Sequence, residues 1–402
     1  VPFMNDTPSL FMILRRFLWL GLTSFGGPVA HIGYFRILFV EQHKWISPVA
    51  FQSLLGLCQM LPGPSSSQLG FALGVRWGGL AGGCLAFIGF TLPSAIVMIG
   101  FGYGLMHIGA NLEQLINALK LVTAAVVLHA VVGMVQSFAF GAIKSMLALA
   151  MMSVVLFVDM PFLHPLFIMI FGLVAMLVLR HEYHEDDLHK DKADRVADAY
   201  QSRLMPLIWL WGFAAIFAML VFLAHLKPDS IWFALSQFYI AGSLVFGGGH
   251  VVLPLLQASV VETELVTLAD FLAGYGMAQV IPGPLFTFGG FLGAVMGEGM
   301  AAIWFGLIAM LMLFLPSFLL VLGVLPFWEI WMRSHRFKAA LAGINAAVVG
   351  LLVAVLIDPV LVTAIHDYHD LAIVIAGFLV LLSGRINTGF VVLALVAMGW
   401  FI

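Results

Sequence analysis

Two clusters of glycine and proline interrupt apolar segments of the chain, and they are the positions where an anion could bind. Their members are Phe25, Gly26, Gly27 and Pro28, followed by Pro62, Gly63 and Pro64. Proline removes a backbone donor and clashes with the preceding turn, and adjacent glycines hold a helix poorly, so each cluster predicts a helix break. A helix that restarts after a break presents free amide groups and a positive dipole end, which suit a dianion.

Polar side chains beside these clusters are candidate ligands for such an anion: His31, Arg36, Gln59, Ser65 and Ser66. The serine hydroxyls directly follow Pro64, where they could cap the restarting helix and reach an oxyanion. Arginine carries a permanent charge on a planar fork of donors, which makes Arg36 the best side-chain ligand. An imidazole titrates near neutral pH, so His31 suits coupling to protons.

The same pattern returns in the second half of the chain. Phe25-Gly26-Gly27 is matched by Phe246-Gly247-Gly248, and Thr91-Leu92-Pro93-Ser94 by Phe314-Leu315-Pro316-Ser317. Such self-similarity predicts a duplicated architecture, with a binding site formed where paired breaks meet. The second-half candidates are therefore Gly247, Gly248, Gly249, His250, Gln279, Pro282, Gly283, Pro284 and Asn345.

Each candidate also has a purely structural interpretation. Glycines allow close helix packing and prolines kink helices, while amides such as those of Gln59, Gln279 and Asn345 satisfy freed backbone groups. Arg36 could instead extend towards lipid headgroups, and His31 and His250 could be buried, hydrogen-bonded side chains. Neither histidine has a carboxylate at ligand spacing, so no metal or other cofactor is predicted.

Composition places the chain in a membrane. Of 402 residues, 62% are hydrophobic and 9% are charged, whereas soluble domains have about 25% charged residues. The formal net charge is −3 and no basic stripe is present, which argues against a nucleic-acid partner. The predicted fold class is an all-α polytopic membrane protein whose partner is the lipid bilayer.

A charged linker divides the chain into two repeats. The predicted organisation is a first repeat at 1–180, a cytoplasmic linker at 181–205, a connecting transmembrane helix at 206–225 and a second repeat at 231–402. Each repeat offers six apolar segments, the first two at 9–32 and 48–77, which gives about 13 spans, six plus one plus six. Because one extra helix separates the halves, the second repeat should be inverted with respect to the first.

The distribution of basic residues favours this topology. With the linker inside, Arg333, Arg336 and Lys338 also lie inside, whereas Arg36 and Lys44 fall outside and are exceptions. A competing model has re-entrant Pro-Gly-Pro segments and five spans per repeat, and it would put Arg333, Arg336 and Lys338 outside. Whether those segments span or re-enter is left open by the sequence.

Several long motifs resemble the bacterial chromate ion transporters in their long, two-domain form. They are the runs 23–33, 59–64, 246–254, 273–276 and 282–288. The resemblance implies chromate export across the bacterial inner membrane, driven by the proton motive force and conferring chromate resistance. The loop after the first segment is less basic here than is usual in that family, which puts the roles of its charged residues in doubt.

Other functions remain open from the sequence. Sulfate or another oxyanion could be the substrate, the direction could be uptake, and the halves could form a passive anion channel. An enzyme would need convergent carboxylates or paired His and Asp in the spans, and the apolar segments contain almost none, so catalysis is not expected. A homodimer is compatible with the sequence.

Overall fold

The computed structural model describes residues 8–25, 27–107, 113–158, 163–179, 204–227, 230–245, 252–328 and 334–384, together with a few positions between 390 and 398. The chain divides into two compact units. The first combines residues 1–108, 191–249 and 281–328, and the second combines 109–190, 250–280 and 329–402. Each unit therefore takes helices from both sequence repeats.

The first unit begins with a helical hairpin. Helix α1 covers Leu10–Thr23, and α2 covers Gly27–Phe35 and continues through a π-helical turn to Gln42. The ring of Phe17 lies 5.6 Å from that of Phe35 and 5.2 Å from that of Phe39, measured between ring centroids. His43, which follows the π-helical turn, lies near Arg16 of α1: burial, and then the charge of Arg16, lower the pKa of His43. The chain after the break therefore returns alongside α1 towards the end where α1 begins.

A second hairpin follows. Helix α3 covers Pro48–Met60, and α4 covers Ser65–His107 with non-helical backbone at Gly78 and Gly79. This interruption divides α4 into a first arm, residues 65–77, and a second arm, residues 80–107. The ring of Trp77, at the end of the first arm, lies 5.2 Å from that of Trp45, which precedes α3. Two collinear 13-residue helices would separate those rings by about 40 Å. Helix α3 and the first arm of α4 therefore also form a hairpin that opens at the end where α1 begins.

The second arm of α4, residues 80–107, is about 42 Å long and can cross a bilayer core of about 30 Å. Gly79 has φ +59°, which lets the chain reverse there. A Cβ at Gly74 would meet the backbone of Gly82, so the two arms are in close backbone contact. This second arm runs parallel to α1, because Gly78 lies against Leu10 and Gly89 lies against Leu14.

The second repeat contributes equivalent elements to the first unit. Their bounds are Ile231–Leu244 for α9, Phe288–Val295 for α12 and Met300–Val324 for α13, with a short 3₁₀ turn at Leu285–Thr287. The connecting helix α8, at Leu204–Leu226, also belongs to this unit. Helices α12 and α13 form a hairpin around Gly299, whose φ is +52°. This hairpin matches the turn of α4 at Gly79.

The equivalent long helices of the two repeats run in opposite directions. The ring of Phe87 on α4 packs against Phe314 at 4.9 Å and Phe318 at 4.8 Å, whereas Ile99 lies against Gly306. Residue numbers thus rise along one helix as they fall along the other. The predicted inverted repeat with broken helices is confirmed by this antiparallel packing.

The second unit is also built from helices and has no strand among its described residues. Its helices are α5 at Glu113–Phe138, α6 at Ala142–Phe157, α7 at His164–Val178, α10 at Val252–Leu256, α11 at Leu268–Val280, α14 at His335–Val355 and α15 at Tyr368–Ser383. Helices α10 and α14 each continue into a π-helical turn, at Gln257–Val261 and Leu356–Leu361. Between α6, α7 and α14 lies a small apolar core of Leu147, Ala175, Leu179, Ala339 and Ala346.

The prediction of about 13 spans is not confirmed. Segments 9–32 and 48–77 form helical hairpins, whose arms of about 20 Å are shorter than a bilayer core of about 30 Å. By length and composition, the described helices able to cross a membrane are Ser65–Leu105, Asn117–Gln136, Met205–Leu226, Met300–Phe327 and His335–Ala364, beside shorter apolar helices. The hairpin geometry also brings Arg36 and Lys44 to the end where α1 begins. Both residues then satisfy the positive-inside rule that a spanning first segment would break.

Thiol labelling tests this topology. In a Cys58→Ser, Cys84→Ser background, we expect Gln42→Cys to react with an impermeant maleimide from the same membrane side as Lys190→Cys in the linker. Glu298→Cys lies at the opposite end of the first unit, so it should react from the other side. Labelling of Gln42→Cys from the side of Glu298→Cys would show that the first segment crosses the membrane.

Candidate functional site

The first break lies between α1 and α2. Helix α1 ends at Thr23, Ser24 has extended backbone, and Gly27 has φ +73° at the start of α2. The carbonyl group of Ser24 thus has no hydrogen-bond donor within the helix. Ser24 as a whole is completely buried. Such a group must find donors elsewhere in the protein, because hydrocarbon offers none.

Each Pro-Gly-Pro break supplies a donor to the first break of the other repeat. The amide of Gly283 donates to the Ser24 carbonyl at 3.0 Å, and the amide of Gly63 donates to the Val245 carbonyl at 2.6 Å. Val245 occupies the position in the second repeat that Ser24 occupies in the first. The two hydrogen bonds are therefore related by the internal symmetry, and they join the two repeats at matching breaks.

Only glycine fits at the centre of each Pro-Gly-Pro break. Gly63 has φ +130° and Gly283 has φ +105°, conformations that side chains rarely adopt. A Cβ on Gly63 would collide with the Cβ of Ser317, and one on Gly283 would lie 2.6 Å from Ser94 Oγ. Ser94 and Ser317 are themselves equivalent residues, so the close backbone approach is repeated in both halves.

His31 connects the first break to the second. Its ring is 1% exposed, with Nε2 lying 3.2 Å from the Ser24 carbonyl and Nδ1 lying 3.4 Å from Ser66 Oγ. Because a carbonyl only accepts, Nε2 carries the proton, and the Ser66 hydroxyl then donates to Nδ1. These contacts place a proton on Nε2 and position α2 against the start of α4.

Several buried polar atoms around this network have no hydrogen-bond partner in the described part of the chain. They are the side-chain oxygens Ser24 Oγ, Ser67 Oγ, Gln68 Oε1 and Thr91 Oγ1. Gln68 uses its Nε2 to donate to the Pro62 carbonyl at 2.8 Å, which supports the backbone of that break. Ser67 stands in the first turn of α4, where the backbone amides also lack acceptors within the helix. Buried groups of this kind can bind a polar ligand.

The structure brings many predicted residues together in the first unit. Phe25, Pro28, His31, Pro62, Gly63, Pro64, Ser65, Ser66, Pro282, Gly283 and Pro284 all belong to the breaks or to the turns beside them. Gly26, Gly247, Gly248, Gly249 and His250 lie outside the described residues. Gln279 and Asn345 are both buried and belong to the second unit.

Arg36 and Gln59 are not brought to the break network. Arg36 lies in the π-helical turn after α2, where its side chain is 57% exposed and its Nε is 3.5 Å from Glu41 Oε1. Eight helical residues separate it from Pro28, which is about 12 Å along the axis. Gln59 is exposed on the last turn of α3. An anion held at the breaks would therefore depend on backbone amides and hydroxyls.

Sequence reasoning missed three buried residues of the network: Gln68, Ser94 and Ser317. The signal for Gln68 is an amide side chain inside an apolar segment, directly after three serines. Ser94 and Ser317 were visible as matching residues of the repeat, but their contact with the Pro-Gly-Pro glycines depends on tertiary packing.

Comparison with known proteins gives a consistent result. The family model described as "Chromate transporter" matches residues 11–177 and 232–400. The chain is 30% identical to the chromate transport protein of Pseudomonas aeruginosa, over 100% of this chain and 94% of the relative. It is 27% identical to the chromate transport protein of Cupriavidus metallidurans, over 87% of this chain and 82% of the relative. No solved structure matches the chain.

The Pro-Gly-Pro geometry predicts a specific loss of stability. Gly63→Ala should lower the free energy of unfolding by about 1–3 kcal/mol, because the new Cβ meets Ser317 and the backbone is left-handed. Gly33→Ala is the matched control, since no atom lies within 4 Å of a Cβ there. The readout is the thermal unfolding midpoint in detergent. Equal midpoints for the two variants would contradict this account of the break.

Proposed function

The chain belongs to the chromate transporter family, and on this premise we propose that it exports chromate from the cell, driven by the proton motive force, and thereby confers chromate resistance. The bacterial plasma membrane is the proposed location. The observation that supports a carrier most strongly is the symmetric pair of hydrogen bonds between breaks, Gly63 to Val245 and Gly283 to Ser24. Paired breaks of this kind are where inverted-repeat transporters bind substrates.

The donors available at the breaks suit a tetrahedral dianion. The start of α4 offers the amides of Ser65, Ser66 and Ser67 together with the positive end of a helix dipole. The Ser67 hydroxyl has no partner in the described part of the chain, so it is available to a bound oxygen. These donors are neutral, so they can replace water around chromate without the strong attraction of a buried arginine. Such binding would allow release on the other side.

Transport in vesicles of known orientation tests the proposal. Inverted membrane vesicles carrying the protein should accumulate labelled chromate when the proton gradient is imposed, and collapse of the gradient should abolish the accumulation. Control vesicles lacking the protein should show neither effect. Equal chromate movement with and without the gradient would instead support a passive channel.

Sulfate shares the shape and charge of chromate, so it is the most demanding competitor. Excess sulfate should therefore compete with chromate for the same donors and reduce chromate accumulation. Efficient labelled sulfate transport, with chromate acting merely as an inhibitor, would assign the protein to sulfate.

A single hydroxyl tests the binding site. We expect Ser67→Ala to raise the KM for chromate about 10-fold, since a hydrogen bond to a charged group contributes about 1.5–3 kcal/mol. The substitution removes no described protein hydrogen bond, so folding should be preserved. Arg36→Ala serves as the control and should leave KM within about two-fold, because the guanidinium lies about 12 Å along the helix from the break. If Arg36→Ala instead raised the KM for chromate and Ser67→Ala left it unchanged, the anion would bind near Arg36.

A further inference from the structure

A cavity of about 200 Å³ in the second unit has a different chemical character from the breaks. It lies between the end of α6, the start of α7, the turn after α10 and the end of α14. Its polar lining is formed by His164, Gln257, Glu262 and Asp358, and the remaining lining residues are aliphatic or proline. Three of the lining residues can titrate, and no lysine or arginine is among them.

Two polar atoms in this lining are buried without a partner. His164 is 7% exposed, and its Nε2 has no hydrogen-bond partner in the part of the chain that the structure describes. Gln257 Oε1, on the π-helical turn after α10, is also buried and has no hydrogen-bond partner among the described residues. Burying such atoms unpaired is costly, and a bound species that supplies the missing interactions would remove that cost.

The charge of the lining selects the kind of ligand. Glu262 and Asp358 are exposed residues that contribute carboxyl groups to the lining. Gln257 offers an oxygen, and a neutral imidazole can accept a proton. A chromate or sulfate dianion would be repelled by two carboxylates, whereas a small cation would be attracted. No group of three or more His, Cys, Asp or Glu placed to hold a metal ion occurs among the residues described. A proton fits this arrangement better than a directly ligated metal ion.

The three titratable groups come from three elements. His164 begins α7, Asp358 lies in the π-helical turn after α14, and Glu262 follows the turn after α10. Cation binding would therefore hold the ends of three helices together, and release would loosen them. Such a site can affect the arrangement of the unit that contains it.

We propose that this cavity binds the proton whose gradient drives transport, with His164 and Asp358 as the principal groups that bind it. This inference rests on the proposed function, because it assumes that the protein is a coupled anion carrier. It assigns the coupling site to residues outside the paired breaks.

The test compares coupled and uncoupled transport in proteoliposomes. Purified wild-type protein, His164→Gln and Asp358→Asn are each assayed for chromate exchange at equilibrium, and then for chromate accumulation driven by a proton gradient or by a Na⁺ gradient. Exchange needs only the anion site, whereas accumulation also needs the coupling site. His366→Gln is the matched control, because His366 is 67% exposed and does not line the cavity.

We expect both cavity variants to keep exchange within about two-fold of wild type and to lose gradient-driven accumulation at least 10-fold. We expect the proton gradient alone to drive accumulation by the wild type, and a wild type driven by the Na⁺ gradient would overturn the assignment. Accumulation that survives in both variants, exchange that is lost together with accumulation, or a wild type driven by neither gradient would overturn the assignment. Absence of any chromate exchange by the wild type would instead refute the proposed function.

Discussion

Backbone polar groups cannot be left unpaired in hydrocarbon, and this constraint governs the first unit. Each helix break frees amides and carbonyls at membrane depth. The chain satisfies some of them by exchange between repeats: Gly283 donates to Ser24, and Gly63 donates to Val245. Neither repeat could form these hydrogen bonds alone, because donor and acceptor belong to different halves. The duplication therefore places the donor and the acceptor of each of these hydrogen bonds in one chain.

The same constraint explains the small and polar residues that surround the breaks. Glycine is needed at positions 63 and 283, where the backbone is left-handed and a serine of the other repeat approaches closely. His31 adds a side-chain contact to Ser24 and Ser66, and so fixes one helix start relative to another. The amides and hydroxyls not consumed by this network remain for a ligand. The proposed dianion site thus arises from incomplete satisfaction of the broken helices.

The sequence predicted the repeats, the breaks and the inversion, because glycine, proline and periodic self-similarity are local signals. It did not predict that segments 9–32 and 48–77 turn back, since a helical hairpin and a spanning helix have the same apolar length. The contact between Trp45 and Trp77 decides this, and it arises only from tertiary packing. The position of Arg36 was hidden for the same reason: with a returning helix, it lies about 12 Å along the axis from Pro28. Its role as an anion ligand stays a prediction. The acidic cavity around His164 joins residues from three distant parts of the chain, which no spacing in the sequence could indicate.

The most direct test of the central claim is a structure of the protein with bound chromate, in which the chromium is located by its anomalous scattering. The account predicts a single strong chromium peak at the start of α4, with chromate oxygens within hydrogen-bond distance of the amides of Ser65 to Ser67 and of the Ser67 hydroxyl. A peak beside Arg36 and Glu41, or helices that continue unbroken through the Pro-Gly-Pro segments, would contradict it.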